Sequence, residues 1–162
     1  MKTLRDLLLL GDPRLYKKSD PITEQDMSLV SGWVGDLANV MNEIRIQYKF
    51  GRGIAAPQLG IMKRLIYIDT HQKFIIINPQ IVEASKELFE VWDDCMCFPQ
   101  LFVKVNRHRS IRFKYKDEDW KDQELEWKDD MAELFQHEYD HLEGVLCTMR
   151  ALDDKSFKWR SI

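Results

Sequence analysis

Two histidines one helical turn apart constrain this chain more than any other feature. In QHEYDH, residues 136–141, His137 and His141 stand four apart, so on an α-helix both imidazoles project from one face toward one point. Leu134 and Leu142 flank the same face, which turns the rings inward, where unpaired polar groups are costly. The plainer alternative, two histidines exposed on a polar helix, fits those leucines less well than metal ligation does. The helix itself is legible. A helical period begins at Asp129, acidic residues stand at its start where the helix dipole favours them, and Gly144 sits where helices commonly stop. Glu138, beside the first histidine, can reach a water in an open coordination position, accept its proton and later return it.

A site with two histidines needs a third protein ligand. Metalloprotease patterns take it from further down the chain, but no histidine follows His141, and Glu143, Asp153 and Asp154 lie too close or too near the end. Upstream, Cys95 in WDDCMCFP falls between a strand signal and Pro99, and a thiolate is a strong ligand for a soft or borderline metal. Cys95 is therefore the expected third ligand. Cys147 reads as a small buried hydrophobe, and Cys97 shares the face of Cys95 if the segment is extended. In GRGIAAPQLG, from Gly51 to Gly60, closely spaced glycines let the backbone pass near a ligand, but no lysine followed by serine or threonine makes it a nucleotide loop. Gln58 offers a neutral amide donor suited to an oxyanion.

The rest of the chain supplies a frame. Val30, Trp33, Val34, Leu37, Val40, Met41 and Ile44 recur every three to four residues and predict a helix ending near Tyr48, after a start signal at Thr23 and Asp26. The period then changes to two: RLIYID, FIIIN, LFVKV and RSIRFKYK read as strands, and Ile111, Phe113 and Tyr115 alternate with Arg112, Lys114 and Lys116 as in a sheet with one wet face. A largely antiparallel sheet is expected. The tail DDKSFKWRSI reads either as a terminal helix packed on the body or as an interface. At 162 residues, with 44% hydrophobic and 31% charged, the chain suits one soluble globular domain spanning 1–162. A net charge of −3 gives no basic footprint for nucleic acid. Three cysteines, two of them one residue apart, make a poor disulfide framework, and the leucine run at 7–10 is too short for a signal peptide or a membrane span, so a cytoplasmic location is expected.

The three segments together, in this order, resemble the signature motifs of peptide deformylases, which remove the formyl group from nascent polypeptides. GRGIAAPQLG is similar to the family's glycine-rich motif ending in Ala-Ala-Pro-Gln, WDDCMC falls where the family has Glu-Gly-Cys-Leu-Ser, and QHEYDHLEGVL reproduces His-Glu-x-x-Asp-His. Further similarity runs from GDPRL through FIIINP to the GVL after the helix. The resemblance implies an α+β fold, with antiparallel β-sheets around a central metal-binding α-helix. It implies a metallohydrolase that cleaves the N-formyl group from N-formylmethionyl peptides, with Cys95, His137 and His141 as ligands, Glu138 as acid and base, and Gln58 with the backbone N–H of Met96 holding the oxyanion. Ferrous iron (Fe2+) is the implied metal, although one sulfur and two nitrogens would suit zinc, and nickel (Ni2+) or cobalt (Co2+) are further candidates. The implied partners are formylated peptides and the translating ribosome, and a monomer is expected over an oligomer.

The departures from the family pattern carry expectations of their own. Asp93 replaces a glutamate and should pair with Arg107. Asp94 replaces a glycine; aspartate tolerates left-handed backbone, but its charge beside the metal should raise the pKa of bound water and weaken oxyanion stabilisation. Cys97 in place of serine adds a second oxidisable sulfur. Arg52, Gly53, Ile54, Glu133 and Leu134 are expected around the substrate pocket, where the family normally has an apolar residue at the position of Glu133. Charged Arg52 and Glu133 there point to a first side chain other than unmodified methionine, unless they turn to solvent or pair with each other. A deformylase-like protein with low or redirected amidase activity or altered substrate preference is the alternative reading; a non-catalytic binding module would have no use for Glu138.

Overall fold

A computed structural model describes residues 1–160. The first long helix, α1, runs Met27–Tyr48 and follows a turn of 3-10 helix at Glu24–Asp26. Thr23 begins it, its N–H donating to Asp26 Oδ2 at 2.8 Å, as the start signal predicts. Val30, Leu37, Val40, Met41 and Ile44 are buried along one face, while Trp33 and Val34 are half-buried at its edge.

Among the described residues, eight strands follow the expected antiparallel plan: β1 Gly53–Ala55, β2 Leu65–Asp69, β3 Lys73–Ala84, β4 Leu88–Asp94, β5 Leu101–His108, β6 Ser110–Lys116, β7 Asp122–Lys128 and β8 Phe157–Trp159. They form a five-stranded sheet in the order β1-β2-β3-β6-β7 and a three-stranded sheet in the order β4-β5-β8, every pairing antiparallel. Bulges in β3 around Asn78 and Val82 interrupt its register with β6 and bend the strand.

The second helix, α2, runs Asp129–Leu142. It ends at Gly144, whose φ of +72° is a conformation that glycine adopts without strain, and whose Cβ position would meet Tyr16 O at 2.6 Å. Both faces of β2 are buried. Leu65 and Tyr67 pack with the α1 cluster, while Ile66 and Ile68 pack with Phe113, Phe135 and Leu134 of the α2 side. That is why LIYI reads as a continuous apolar run instead of alternating. α2 also contacts β5, so it lies between the two sheets, and the helix that carries His137 and His141 is central.

Two elements differ from the expectation. The tail packs on the body not as a helix but as a strand, because Phe157, Lys158 and Trp159 pair with Val103, Phe102 and Leu101 as the edge strand β8. β7, DQELEWK, carried no signal because its outward residues are charged, yet Leu125 and Trp127 point into the α2 cluster, the usual compromise of an edge strand. Residues 161 and 162 of the tail lie outside the described residues. No helix among the described residues is long and apolar enough to cross a membrane.

Candidate metal centre and active site

α2 presents His137 and His141 toward β4, and Cys95 is the first residue after that strand, where Phe98 N–H donates back to Cys95 O at 3.1 Å and turns the chain. The Nε2 atoms of the two histidines lie 3.3 Å apart, and Cys95 Sγ lies 3.3 Å from His141 Nε2. All three side chains are buried and their ligand atoms fall within 4.8 Å of one another. The donor set fits a divalent transition metal on its own chemistry. Burial pushes the His141 ring well below its usual pKa, hence neutral with a lone pair, and burial pushes the Cys95 thiol well up, so that a thiolate there calls for a cation beside it.

A buried charge network holds the first histidine. Asp93 Oδ1 stands 2.9 Å from His137 Nδ1, but too obliquely to count as a hydrogen bond, so the contact is principally electrostatic. Asp93 Oδ2 accepts from Arg107 Nη2 at 2.6 Å, Arg107 Nη1 donates to Asp140 Oδ2 at 2.6 Å, and Arg150 donates to both oxygens of Asp140 at 2.6 and 2.7 Å. Burial alone would raise the Asp93 carboxyl and depress His137; the charges of His137 and Arg107 outweigh it at Asp93, and that of Asp93 outweighs it at His137. With a metal bound, a carboxylate beside Nδ1 would keep the proton on that nitrogen and free Nε2, which faces Cys95 and His141, to ligate. The expected pairing of Asp93 with Arg107 is present. Asp140 and Arg150 went unassigned at the sequence level, although Asp140 lies inside QHEYDH. Asp93, His137 and Cys147 form a second cluster of ligand-type atoms, but Cys147 does not line the cavity that opens on Glu138.

That cavity, of about 330 Å³, is bounded by Gln58, Met96, His137 and Glu138 on the metal side. Glu138 is fully buried, and burial pushes its carboxyl up to about 7, the range of an efficient general acid and base near neutral pH. Gly53 lets it approach, since a Cβ there would stand 3.1 Å from Glu138 Oε1 and 3.2 Å from Leu134 Cδ1. Gln58 Oε1 accepts from Ala55 N–H at 2.8 Å, which orients Nε2 toward the sulfurs of Cys95 and Cys97 at 3.7 and 3.5 Å.

Arg52, Gly53, Glu133 and Leu134 line the cavity. Ile54, expected with them, does not: alternation along β1 turns it the other way, into the core under α1, where it is fully buried. Arg52 and Glu133 pair with each other, Nη2 to Oε2 at 3.0 Å. Asp94 also lines the cavity, and here two expectations change. It lies in the extended strand β4 and needs no left-handed backbone. Nor is its charge uncompensated, because it pairs with Arg160, whose guanidinium stacks 4.3 Å from the Phe50 ring and 4.2 Å from the Phe102 ring. No sequence signal pointed to Arg160 or Phe50.

The family model for polypeptide deformylase matches residues 4–157 of this chain. The chain belongs to the peptide deformylase family. Among curated deformylases, that of Thermotoga neapolitana is 35% identical over 140 residues, covering 85% of this chain and 81% of that protein. Peptide deformylase 2 of Clostridium perfringens is 31% identical over 151 residues, covering 91% and 93%. The solved Thermotoga maritima deformylase superposes with a TM-score of 0.82 at 33% identity over 91% of this chain and 97% of that one. The Synechococcus elongatus deformylase in complex with actinonin gives 0.84 at 32%, over 91% and 79%. The stretch matched by the deformylase model contains Gln58, Cys95, His137, Glu138 and His141, whereas Arg160 lies beyond it.

Proposed function

We propose that this chain, acting over residues 1–162 as one deformylase domain, hydrolyses the N-formyl group of N-formylmethionyl peptides of nascent proteins and releases formate. Cys95, His137 and His141 would hold one divalent ion, which when bound supplies the Lewis acidity that polarises the formyl carbonyl and makes water nucleophilic at neutral pH. Glu138 accepts a proton from the attacking water and returns it to the amine nitrogen as the carbon–nitrogen bond breaks; formate leaves with the water's oxygen. Gln58 Nε2 and the Met96 backbone N–H donate to the oxyanion that develops on the formyl oxygen, each worth about 100- to 1,000-fold in rate. Asp93, held by Arg107, keeps His137 in the ligating tautomer. Gly53, Arg52, Glu133 and Leu134 bound the space for the substrate.

The observation that carries this reading is the convergence of one thiol and two imidazole nitrogens beside a buried carboxyl, on a cavity open to substrate. Ferrous iron is the proposed metal by family resemblance, with zinc, nickel and cobalt compatible with the same donors. A cytoplasmic location, substrates arriving from the ribosome, and action as a monomer complete the proposal. The alternative of a deformylase-like protein with low or redirected amidase activity draws on Asp94, Glu133 and Arg52 together; Asp94 pairs with Arg160 and Arg52 with Glu133, so each of these charges has a partner. Anaerobic purification with metal analysis and a formate-release assay tests the proposal. Glu138→Ala should lower turnover by about 100- to 10,000-fold with metal retained; unchanged turnover would overturn the role of Glu138.

A further inference from the structure

The cavity beside Glu138 has a charged wall. Arg52, from the loop before β1, reaches across to α2 and pairs with Glu133, while its Nη1 stands 3.8 Å from Asp130 Oδ2, beyond hydrogen-bond distance. The Glu133 side chain is 14% exposed and that of Arg52 43%, so the pair faces the cavity and is only partly hydrated. Among the described residues, Arg52 donates hydrogen bonds only from Nη2, which leaves Nε and Nη1 as donors for an incoming group. Asp94, which is paired with Arg160, also lines the cavity and adds further charge.

Glu133 precedes His137 by four residues, just over one helical turn and about 6 Å along the axis. With a formyl carbon between Glu138 and Gln58, the first side chain of the substrate branches from Cα, one bond from the scissile nitrogen. It is therefore the part of the substrate that meets a wall one turn from His137. An alkyl chain laid against an ion pair removes water and returns no hydrogen bond, a cost that an apolar wall would not impose. A neutral chain of the same length ending in an acceptor oxygen returns that bond to Arg52 and leaves Glu133 paired. A charged chain instead competes with one partner and leaves the other alone.

From this we infer that the Arg52–Glu133 pair is a specificity determinant, admitting neutral hydrogen-bond-accepting first side chains of methionine's length, such as methionine sulfoxide or glutamine, alongside methionine. The inference rests on the deformylase reading above. Its test is kcat/KM for formate release from formyl-norleucyl, formyl-glutaminyl and formyl-methionine-sulfoxide peptides of otherwise identical sequence. The metal-loaded protein should turn over the two polar substrates within about tenfold of norleucine, and Arg52→Leu with Glu133→Leu should widen the gap in favour of norleucine by at least about tenfold. The charge-swapped variant Arg52→Glu with Glu133→Arg keeps a pair in place and should keep the ranking of the parent protein. A larger gap in the unmodified protein, or a ratio that the double leucine variant leaves unchanged, overturns the inference while leaving deformylation standing. Absence of formate from all three peptides is a different result and overturns the proposed function itself.

Discussion

Gly53 and Glu138 show how closely the working side chains are spaced. The Cβ of an alanine at residue 53 would press on both the Glu138 carboxyl and Leu134 at 3.1–3.2 Å, tighter than ordinary contact. Glu138 is the more consequential neighbour, because proton transfer is sensitive to displacements well below the size of a methyl group. Gly53→Ala should therefore lower kcat by roughly 10- to 100-fold. Metal content and the unfolding midpoint should stay near those of the parent, since the strand backbone there is extended and φ imposes no strain. An unaltered rate would mean that the carboxyl does not need this spacing. Gln58 works by the same logic of restraint: its carbonyl oxygen is tied to Ala55, so its amide nitrogen is already aimed when substrate arrives.

At the scale of elements, β8 does more than extend a sheet. Its pairing with β5 carries Arg160 to the rim of the cavity, where Phe50 and Phe102 flank the guanidinium and Pro99 O accepts from its Nε at 2.9 Å. Without that strand, Asp94 would present an unpaired carboxylate next to Cys95, the proposed metal ligand. Arg160→Ala should reduce formate release by roughly tenfold, a little over 1 kcal/mol of barrier. Adding Asp94→Asn to that variant should restore most of the rate, because the charge and not the strand contact is then at fault. A double variant as slow as the single one would assign the loss to packing. The partners of α2 follow a similar division of labour. Its apolar face is set against the five-stranded sheet by Phe135 stacked on Phe113 at 3.8 Å between centroids, which leaves the histidine face turned to β4.

Across the whole molecule, the buried Asp93, Arg107 and Asp140, with the exposed Arg150 at the end of the chain of ion pairs, join the three-stranded sheet to α2 and to the segment after it. Arg107 and Asp93 are each 2% exposed, so removing the guanidinium leaves the buried Asp93 carboxylate with His137 as its charged neighbour, while Asp140 keeps Arg150. Arg107→Met should cost about 3–5 kcal/mol of stability at neutral pH, measured by denaturant unfolding. Asp93 also fixes the direction of the pH effect. Its native pKa is depressed below its unfolded value of about 3.9, so the stability it contributes is in place above that pH and is lost only as pH falls through the lower native value. Without Arg107 the native pKa rises toward or above the unfolded one, and the acid-unfolding midpoint should move to higher pH. An unmoved midpoint would show that His137 alone holds the carboxylate down.

What the sequence determined by itself is what local periodicity and short spacing encode. Four residues between two histidines, a glutamate beside them, the face of α1, and the alternation of Ile111, Phe113 and Tyr115 each follow from 3.6- and 2-residue geometry within one element. Cys95 follows from the absence of another third ligand, Gln58 from its amide at the end of a glycine-rich segment, and Met96 only from the resemblance to the family motifs. Tertiary structure decided what depends on distant segments meeting. The polar strand β7 is recognisable only once Leu125 and Trp127 have a helix to face. Ile54 differs from its neighbour Gly53 only in the side of β1 to which it points. Whether Arg52 finds Glu133, 81 residues away, and whether Arg160 reaches Asp94, 66 residues away, are settled by chain paths that no local pattern records. Electrostatic pairing acts through space while sequence patterns act along the chain, so the charges around the cavity became interpretable only after folding had brought them together.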